Sequence, residues 1–222
     1  MNFFGHAVVA GWFEREPRFV LGSMLPDFAT MSGTRLSTVT EARVAEGVAL
    51  HHRTDDAFHA APTFLLLSGI ACEALEQREV GWGTARAVAH VGTELLLDGV
   101  LLTRHASEQY VEALEAAHAI AQHDPLVFGF RDQGVGFELL LRRLRDAGPP
   151  HAYREPVRVA EFLERALSRR PRLCFQPGDR ARVAEVLETL APEVERQADT
   201  LMAHLQQHEL LRPDRSHATT AR

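Results

Sequence analysis

The sequence predicts an all-α fold, a single-domain helical bundle, and three observations point there. Alanine, leucine, glutamate and arginine are abundant while aromatic residues make up 7% of the chain, a balance that favours helices over strands. Apolar residues recur at three- and four-residue spacing through most of the segments between turn signals. No segment alternates polar and apolar residues in a convincing strand pattern. At 222 residues the chain is long enough to bury one sizeable core, and no composition shift or linker divides it. The expected domain covers 1–208, with a disordered polar tail over 209–222 that includes RPDRSHATTAR.

Taken in order, residues 3–13 read as a short apolar helix. A loop containing Pro17 follows, then FVLGSMLPDF at 19–28, where Pro26 and Asp27 should end or begin a helical turn. Residues 30–40 are rich in Ser, Thr and Gly and read as a loop. Helical periodicity covers 41–60, Pro62 interrupts it, and 63–78 is the next helix. GWG at 81–83 is a turn. The helix over 84–105 takes its core face from Leu95, Leu96, Leu97, Leu101 and Leu102. Weaker helices are expected at 107–121, 134–147 and 156–169, and a long one at 179–208. Pro-Pro at 149–150 and PGD at 177–179 punctuate them.

All 24 basic residues are arginine, so a Schiff-base lysine and a P-loop lysine are excluded. The formal net charge of −6 argues against nucleic acid as a stable partner. Cys72 and Cys174 form neither a metal nor a disulfide pattern. The N-terminal run MNFFGHAVVAGWF lacks a basic region and a cleavage site, and no apolar run is long enough to span a membrane. A cytoplasmic protein is expected, and the pattern carries no oligomerisation signature.

The chemistry concentrates in two segments. In GVALHHRTDDAFH, residues 47–59, His51, Asp55 and His59 are spaced i, i+4, i+8 and share a helix face. His52 and Asp56 lie on the adjoining strip, where Asp56 reads as a solvated edge. In VAHVGTELLLDGV, residues 88–100, His90, Glu94 and Asp98 repeat the spacing among apolar neighbours. A carboxylate buried there costs several kcal/mol unless it is paired or bound to a cation. Two such stripes on packed helices are how bundles build metal sites, although an interhelical polar network can use the same residues. His6, in an apolar helix, is as readily a hydrogen-bonded core histidine as a ligand. Asp27, after Pro26, can be aimed inward by the backbone. Mixed His and carboxylate ligands suit Mn, Fe, Zn or Mg, and the missing cysteines argue against a structural zinc site. A second feature is the arginine-rich SRRPRL at 168–173, where Arg169, Arg170 and Arg172 could hold a phosphate or dock an acidic partner, although charge runs are usually solvated faces.

These residues together resemble the acyl carrier protein phosphodiesterase family, a divergent branch of the HD-type metal-dependent phosphohydrolases. The resemblance lies in MNFFGH at the start, GSMLPDF at 22–28, LHHRTD at 50–55, the acidic pair Glu94 and Asp98, and SRRPRL, in that order over most of the chain. It implies an HD-domain-like bundle, a divalent metal (manganese first among Mn, Fe, Zn and Mg), and ligands His6, Asp27, His51 and Asp55 with Glu94 and Asp98 on the facing helix. The implied reaction releases 4′-phosphopantetheine from acyl carrier protein. The chain departs from the family pattern at Gly99, where a histidine is usual, at His59, where an aspartate is usual, at His90, where no ligand is expected, and at His52, which replaces an arginine. The added imidazoles also resemble zinc-dependent phospholipase C and nuclease-like helical hydrolases.

The expectation is a metal-dependent phosphodiesterase in which a metal activates water. His51, Asp55, Asp27 and Asp98 would be the main ligands, joined by His6, His90 and Glu94. His52 or His59 would transfer the proton, and Arg53 would contact a phosphate oxygen. The substrate would be acyl carrier protein or another phosphodiester. The competing class is a non-catalytic binding module that uses the same polar core for stability or ligand sensing.

Overall fold

In the computed structural model, residues 1–123, 127–131 and 135–212 are described. Nine α-helices lie among them: α1 Phe3–Ala10, α2 Pro17–Met31, α3 Ala42–His59, α4 Pro62–Glu76, α5 Trp82–Arg104, α6 Glu108–His123, α7 Val135–Ala147, α8 Pro156–Leu167 and α9 Asp179–Gln207. The architecture is an all-α bundle. α5 is its axis, packed by α1, α4, α8 and α9, while α2 and α3 pair along their length. The buried core is continuous, from Phe3, Phe4 and Phe28 through Leu95 and Leu97 to Leu187 and Leu201. Among the described residues no single helix is long and apolar enough to cross a membrane.

Local chemistry sets the starts of α2 and α3. α2 opens on Pro17, with the Glu16 carboxylate accepting from the Arg18 and Phe19 amides at 3.2 and 3.1 Å. α3 opens with Glu41 accepting from the Val44 amide at 2.8 Å. Both satisfy amides that the first helical turn leaves unpaired, and both place negative charge at the positive end of the helix.

Three expectations need correction. α2 runs through Pro26 instead of stopping there. The proline removes one backbone donor, but the tertiary packing on α3 outweighs that loss. The stretch over 30–40 is not all loop, because Leu36–Val39 (β1) pairs antiparallel with Phe128–Phe130 (β2), with a bulge between Leu36 and Thr38. Two strands of four and three residues, some ninety positions apart, carry too little pattern to be read locally. Finally, residues 209–211 are not part of a disordered tail. Glu209–Leu211 form a 3-10 turn and Leu211 is buried, whereas 213–222 lie outside the described residues.

The α2–α3 contact is backbone on backbone. A Cβ on Gly22 would sit 2.1 Å from the Val44 carbonyl oxygen, and one on Gly47 would sit 2.1 Å from the Phe19 carbonyl oxygen. Backbone cannot yield as a flexible side chain can, so neither position has room for a methyl group. Gly47→Ala is expected to destabilise the fold by about 3 kcal/mol, the upper range for overpacking. Gly69→Ala, at a helical position with nothing within 4 Å of the added atom, is expected to be neutral or slightly stabilising. Urea unfolding of the two variants checks the contrast.

Candidate metal centre

The Gly22–Gly47 approach brings Ser23, the residue after Gly22, within hydrogen-bond range of α3. His51, one turn after Gly47, has Nδ1 2.8 Å from the backbone oxygen of Ser23. A carbonyl only accepts, so Nδ1 carries the proton and Nε2 keeps its lone pair. That bare nitrogen faces inward, 3.5 Å from Asp55 Oδ2. The arrangement is the usual one for a ligating histidine, whose second ring nitrogen is fixed by an outer partner.

His6 of α1 stacks on His51, with ring centroids 4.0 Å apart. Its Nε2 lies 3.2 Å from Asp55 Oδ1 and 4.0 Å from Asp27 Oδ2. Neither ring nitrogen of His6 has a hydrogen-bond partner of good geometry, and Asp27 Oδ2 is buried without one as well, although the Asp27 side chain keeps 24% of its surface accessible. His6, Asp27 and His51 therefore bring one ligand atom each within 4.8 Å of one another, with Asp55 on their flank.

A second convergence lies alongside. His59 Nε2 and His90 Nε2 approach the same oxygen, Glu94 Oε1, at 2.9 and 3.2 Å, and these three also form a group that could hold a metal ion. The Met1 nitrogen stands between the two groups, 2.8 Å from Asp55 Oδ1, 3.2 Å from Glu94 Oε1 and 3.4 Å from His59 Nε2.

Burial and neighbouring charge set the protonation states. Burial lowers His6, and it lowers His51 to about 3 with the help of the His6 ring beside it. Both rings are neutral near pH 7, the form that binds a cation. Burial, followed by the Asp55, Glu94 and Asp98 charges, pushes Asp27 well above the usual carboxylate range even though the Met1 ammonium pulls the other way. Asp55 and Glu94 are held well below that range: burial opposes ionisation, but His6 and the Met1 ammonium outweigh it at Asp55, and the ammonium with His59 and His90 does so at Glu94.

Not every residue singled out in the sequence joins these groups. Asp98 is fully buried and caps α1, accepting from Gly5 N at 2.8 Å, Phe4 N at 3.2 Å and Asn2 Nδ2 at 2.6 Å. Burial pushes its carboxyl up to about 7 although those donors pull it down. His52, Arg53 and Asp56 are on the exposed side of α3. His52 lines a groove of about 460 Å³ with Pro26, Arg35, Ser37 and Thr38. Arg169, Arg170 and Arg172 are exposed just after α8, where the Arg172 carbonyl packs on Gly83; His90 is seven residues further along α5, about 10 Å of helical rise. Gly99 has no space for a side chain, since a Cβ would lie 2.4 Å from the Tyr153 carbonyl oxygen. Sequence reasoning missed Ser23, which orients His51 through its backbone, and Asn2, which holds Asp98. Only a contact map would have marked either.

Compared with protein-family models, with curated proteins and with solved structures, the chain gives no match in any of the three.

Two outcomes follow for the metal-free protein. Asp98→Ala should lower stability by about 2 kcal/mol in urea unfolding, since it leaves buried α1 amides unpaired. His51 is neutral in the fold and titrates near 6.5 in the unfolded chain, so its contribution to stability is complete above that pH. That contribution falls by about 1.4 kcal/mol per pH unit as pH drops from 6.5 towards 3. The acid limb of stability against pH should be flatter in His51→Gln than in the wild type, measured by urea unfolding at several pH values.

Proposed function

We propose that the protein is a metal-dependent phosphodiesterase whose centre is the His6–Asp27–His51–Asp55 group. The observation that carries this reading is the pair of buried atoms that no hydrogen bond satisfies, His6 Nδ1 and Asp27 Oδ2, with His6 Nε2 held only by its 3.2 Å approach to Asp55 Oδ1, beside a His51 whose Nε2 lone pair is left free by the Ser23 bond. Orphaned buried polar atoms are costly, and these are imidazole nitrogens and carboxylate oxygens, the donors that Mn, Fe, Zn or Mg accept. The residues present therefore fit a divalent cation. Bound there, it would supply Lewis acidity and make water a nucleophile at neutral pH.

The chain's own residues would do the rest. Ser23 fixes the His51 ring through its carbonyl. Asp55, held ionised, carries negative charge at the centre. The groove lined by Pro26, Arg35, Ser37, Thr38 and His52 would receive an extended substrate, with Arg35, Ser37 and Thr38 offering donors to phosphate oxygens. His52, on the wall of that groove and edge-on to His51 at 5.3 Å, would move a proton to the leaving oxygen. Arg53 stands beside it on the exposed face of α3 and would meet the substrate outside the groove.

The finer assignment, release of 4′-phosphopantetheine from acyl carrier protein with manganese as the cofactor, is supported by the resemblance carried by MNFFGH, GSMLPDF, LHHRTD and SRRPRL. In that assignment Arg169, Arg170 and Arg172 would meet the acidic carrier.

The test is hydrolysis of bis-p-nitrophenyl phosphate by protein loaded with Mn or Zn. Wild type should turn over, Asp55→Ala should fall to background with its helical circular dichroism intact, and His52→Gln should lose roughly a hundredfold in kcat. Full activity in Asp55→Ala would sink the assignment.

A further inference from the structure

We propose that His59, His90 and Glu94 form a second, separate divalent-cation site, open to substrate, so that the protein binds two cations and not one. For its part in hydrolysis this rests on the phosphodiesterase reading; as a binding site it stands alone.

The ligand set comes from two helices. His59 is the last residue of α3, and His90 and Glu94 are one turn apart on α5. Both imidazoles present Nε2 to one carboxylate oxygen, Glu94 Oε1, at 2.9 and 3.2 Å, and the Met1 nitrogen reaches the same oxygen at 3.2 Å. Three nitrogens crowd an atom that has two lone pairs. A polar network built only for stability would need one of these histidines to satisfy Oε1, so the second is surplus. Two imidazoles and a carboxylate oxygen within 4.8 Å of one another are instead three corners of a tetrahedral or five-coordinate site.

The rings are also held in place. They stack on each other with centroids 4.8 Å apart, and Phe64 lies edge-on to both, at 5.4 Å from His59 and 5.2 Å from His90. Such packing fixes ring planes, which a ligand site needs and a solvated surface pair does not.

Exposure differs between the histidines of the two sites. At the first site the His6 and His51 side chains are 0% and 5% exposed, while Asp27 and Asp55 are 24% and 29%. At the second, His59 and His90 are 35% and 46% exposed while Glu94 is 10%. Three protein ligands with one side open to solvent is the pattern of a site that leaves a position for substrate or water. Asp55 Oδ1 and Glu94 Oε1 are no more than about 6 Å apart, because the Met1 nitrogen lies 2.8 Å from one and 3.2 Å from the other. One phosphodiester group is therefore within reach of both. His59 becomes a ligand here and leaves proton transfer to His52. The nitrogen-rich donors select Zn, Fe(II), Co or Mn over Mg or Ca.

The test is stoichiometry, read without any activity. Protein stripped with chelator is dialysed to equilibrium against Zn(II), and separately against Mn(II), and the bound metal is counted by ICP-MS. Two equivalents are expected in the wild type. One is expected in His90→Gln and in Glu94→Gln, and one in His51→Gln, where the second site survives. His90 is half-exposed, so its replacement should leave the fold intact, and thermal melting of the stripped protein checks this. One equivalent in the wild type, lost in His51→Gln and unchanged in His90→Gln, would overturn the second site and leave the phosphodiesterase reading standing. Two equivalents that His90→Gln and Glu94→Gln leave in place would also overturn it. No bound metal at all would overturn both. Two equivalents with the expected losses, but no hydrolysis of any diester, would keep the second site and remove the function.

Discussion

The close approach of α2 and α3 at Gly22 and Gly47 is the constraint on which the first candidate metal group depends. Each glycine faces the other helix's backbone at a distance no side chain permits. That spacing lets the His51 ring reach the Ser23 carbonyl, which in turn frees Nε2. It also sets Asp27, one turn beyond Ser23 on α2, beside His6 and His51. A separation wider by a methyl group would leave Nδ1 without its acceptor, and the tautomer would no longer be fixed. Backbone contact, with no flexible side chain between the helices, is what makes the position of His51 definite.

α5 supplies the other half and does two different jobs with it. His90 and Glu94 face α3 at His59, while Asp98 faces the N-terminus of α1 and closes its first turn. α1 carries His6, so the Asp98 cap positions a member of the first group without touching it. The buried carboxylate on α5 that the sequence offered as a ligand accepts from three donors at the start of α1.

The helical bundle was legible because its signals are local: apolar spacing in the long helices, GWG at the start of α5, PGD at the start of α9. The concentration of ligands in residues 47–59 and 88–100 was legible for the same reason. How they divide was not. A helix advances about 100° per residue, so each i, i+4 step drifts by about 40° and an i, i+8 pair stands about 80° apart. His51 and His59 therefore face different neighbours, and so do His90 and Asp98. What looked like two stripes closing on one metal becomes two groups and a cap, with Asp55 and the Met1 nitrogen between them. The β1–β2 pairing and the role of Ser23 depend on partners far away in sequence and leave no local trace. Gly99 is the opposite case. A glycine there was visible in the sequence, and the structure gives it a packing reason, the Tyr153 carbonyl occupying the space of a side chain.

Charge distribution bears on how the fold tolerates such a centre. Asp27, Asp55 and Glu94 face one region together with neutral His6 and His51 and the Met1 ammonium. Asp27 is driven towards its protonated form by burial and by the other carboxylates, the state a site adopts when it holds more negative charge than its cations can balance. Under the proposed function a divalent cation relieves that excess, converts the orphaned His6 and Asp27 atoms into ligands, and releases the Asp27 proton. Cation binding would then be coupled to folding through α1, α2 and α3 together, since each contributes a ligand and none of these helices holds the group alone. Any affinity for the folded state adds directly to its stability by mass action. The strain carried by the metal-free centre and the function proposed for it have one origin: carboxylates and imidazoles held together by backbone contacts before any cation arrives.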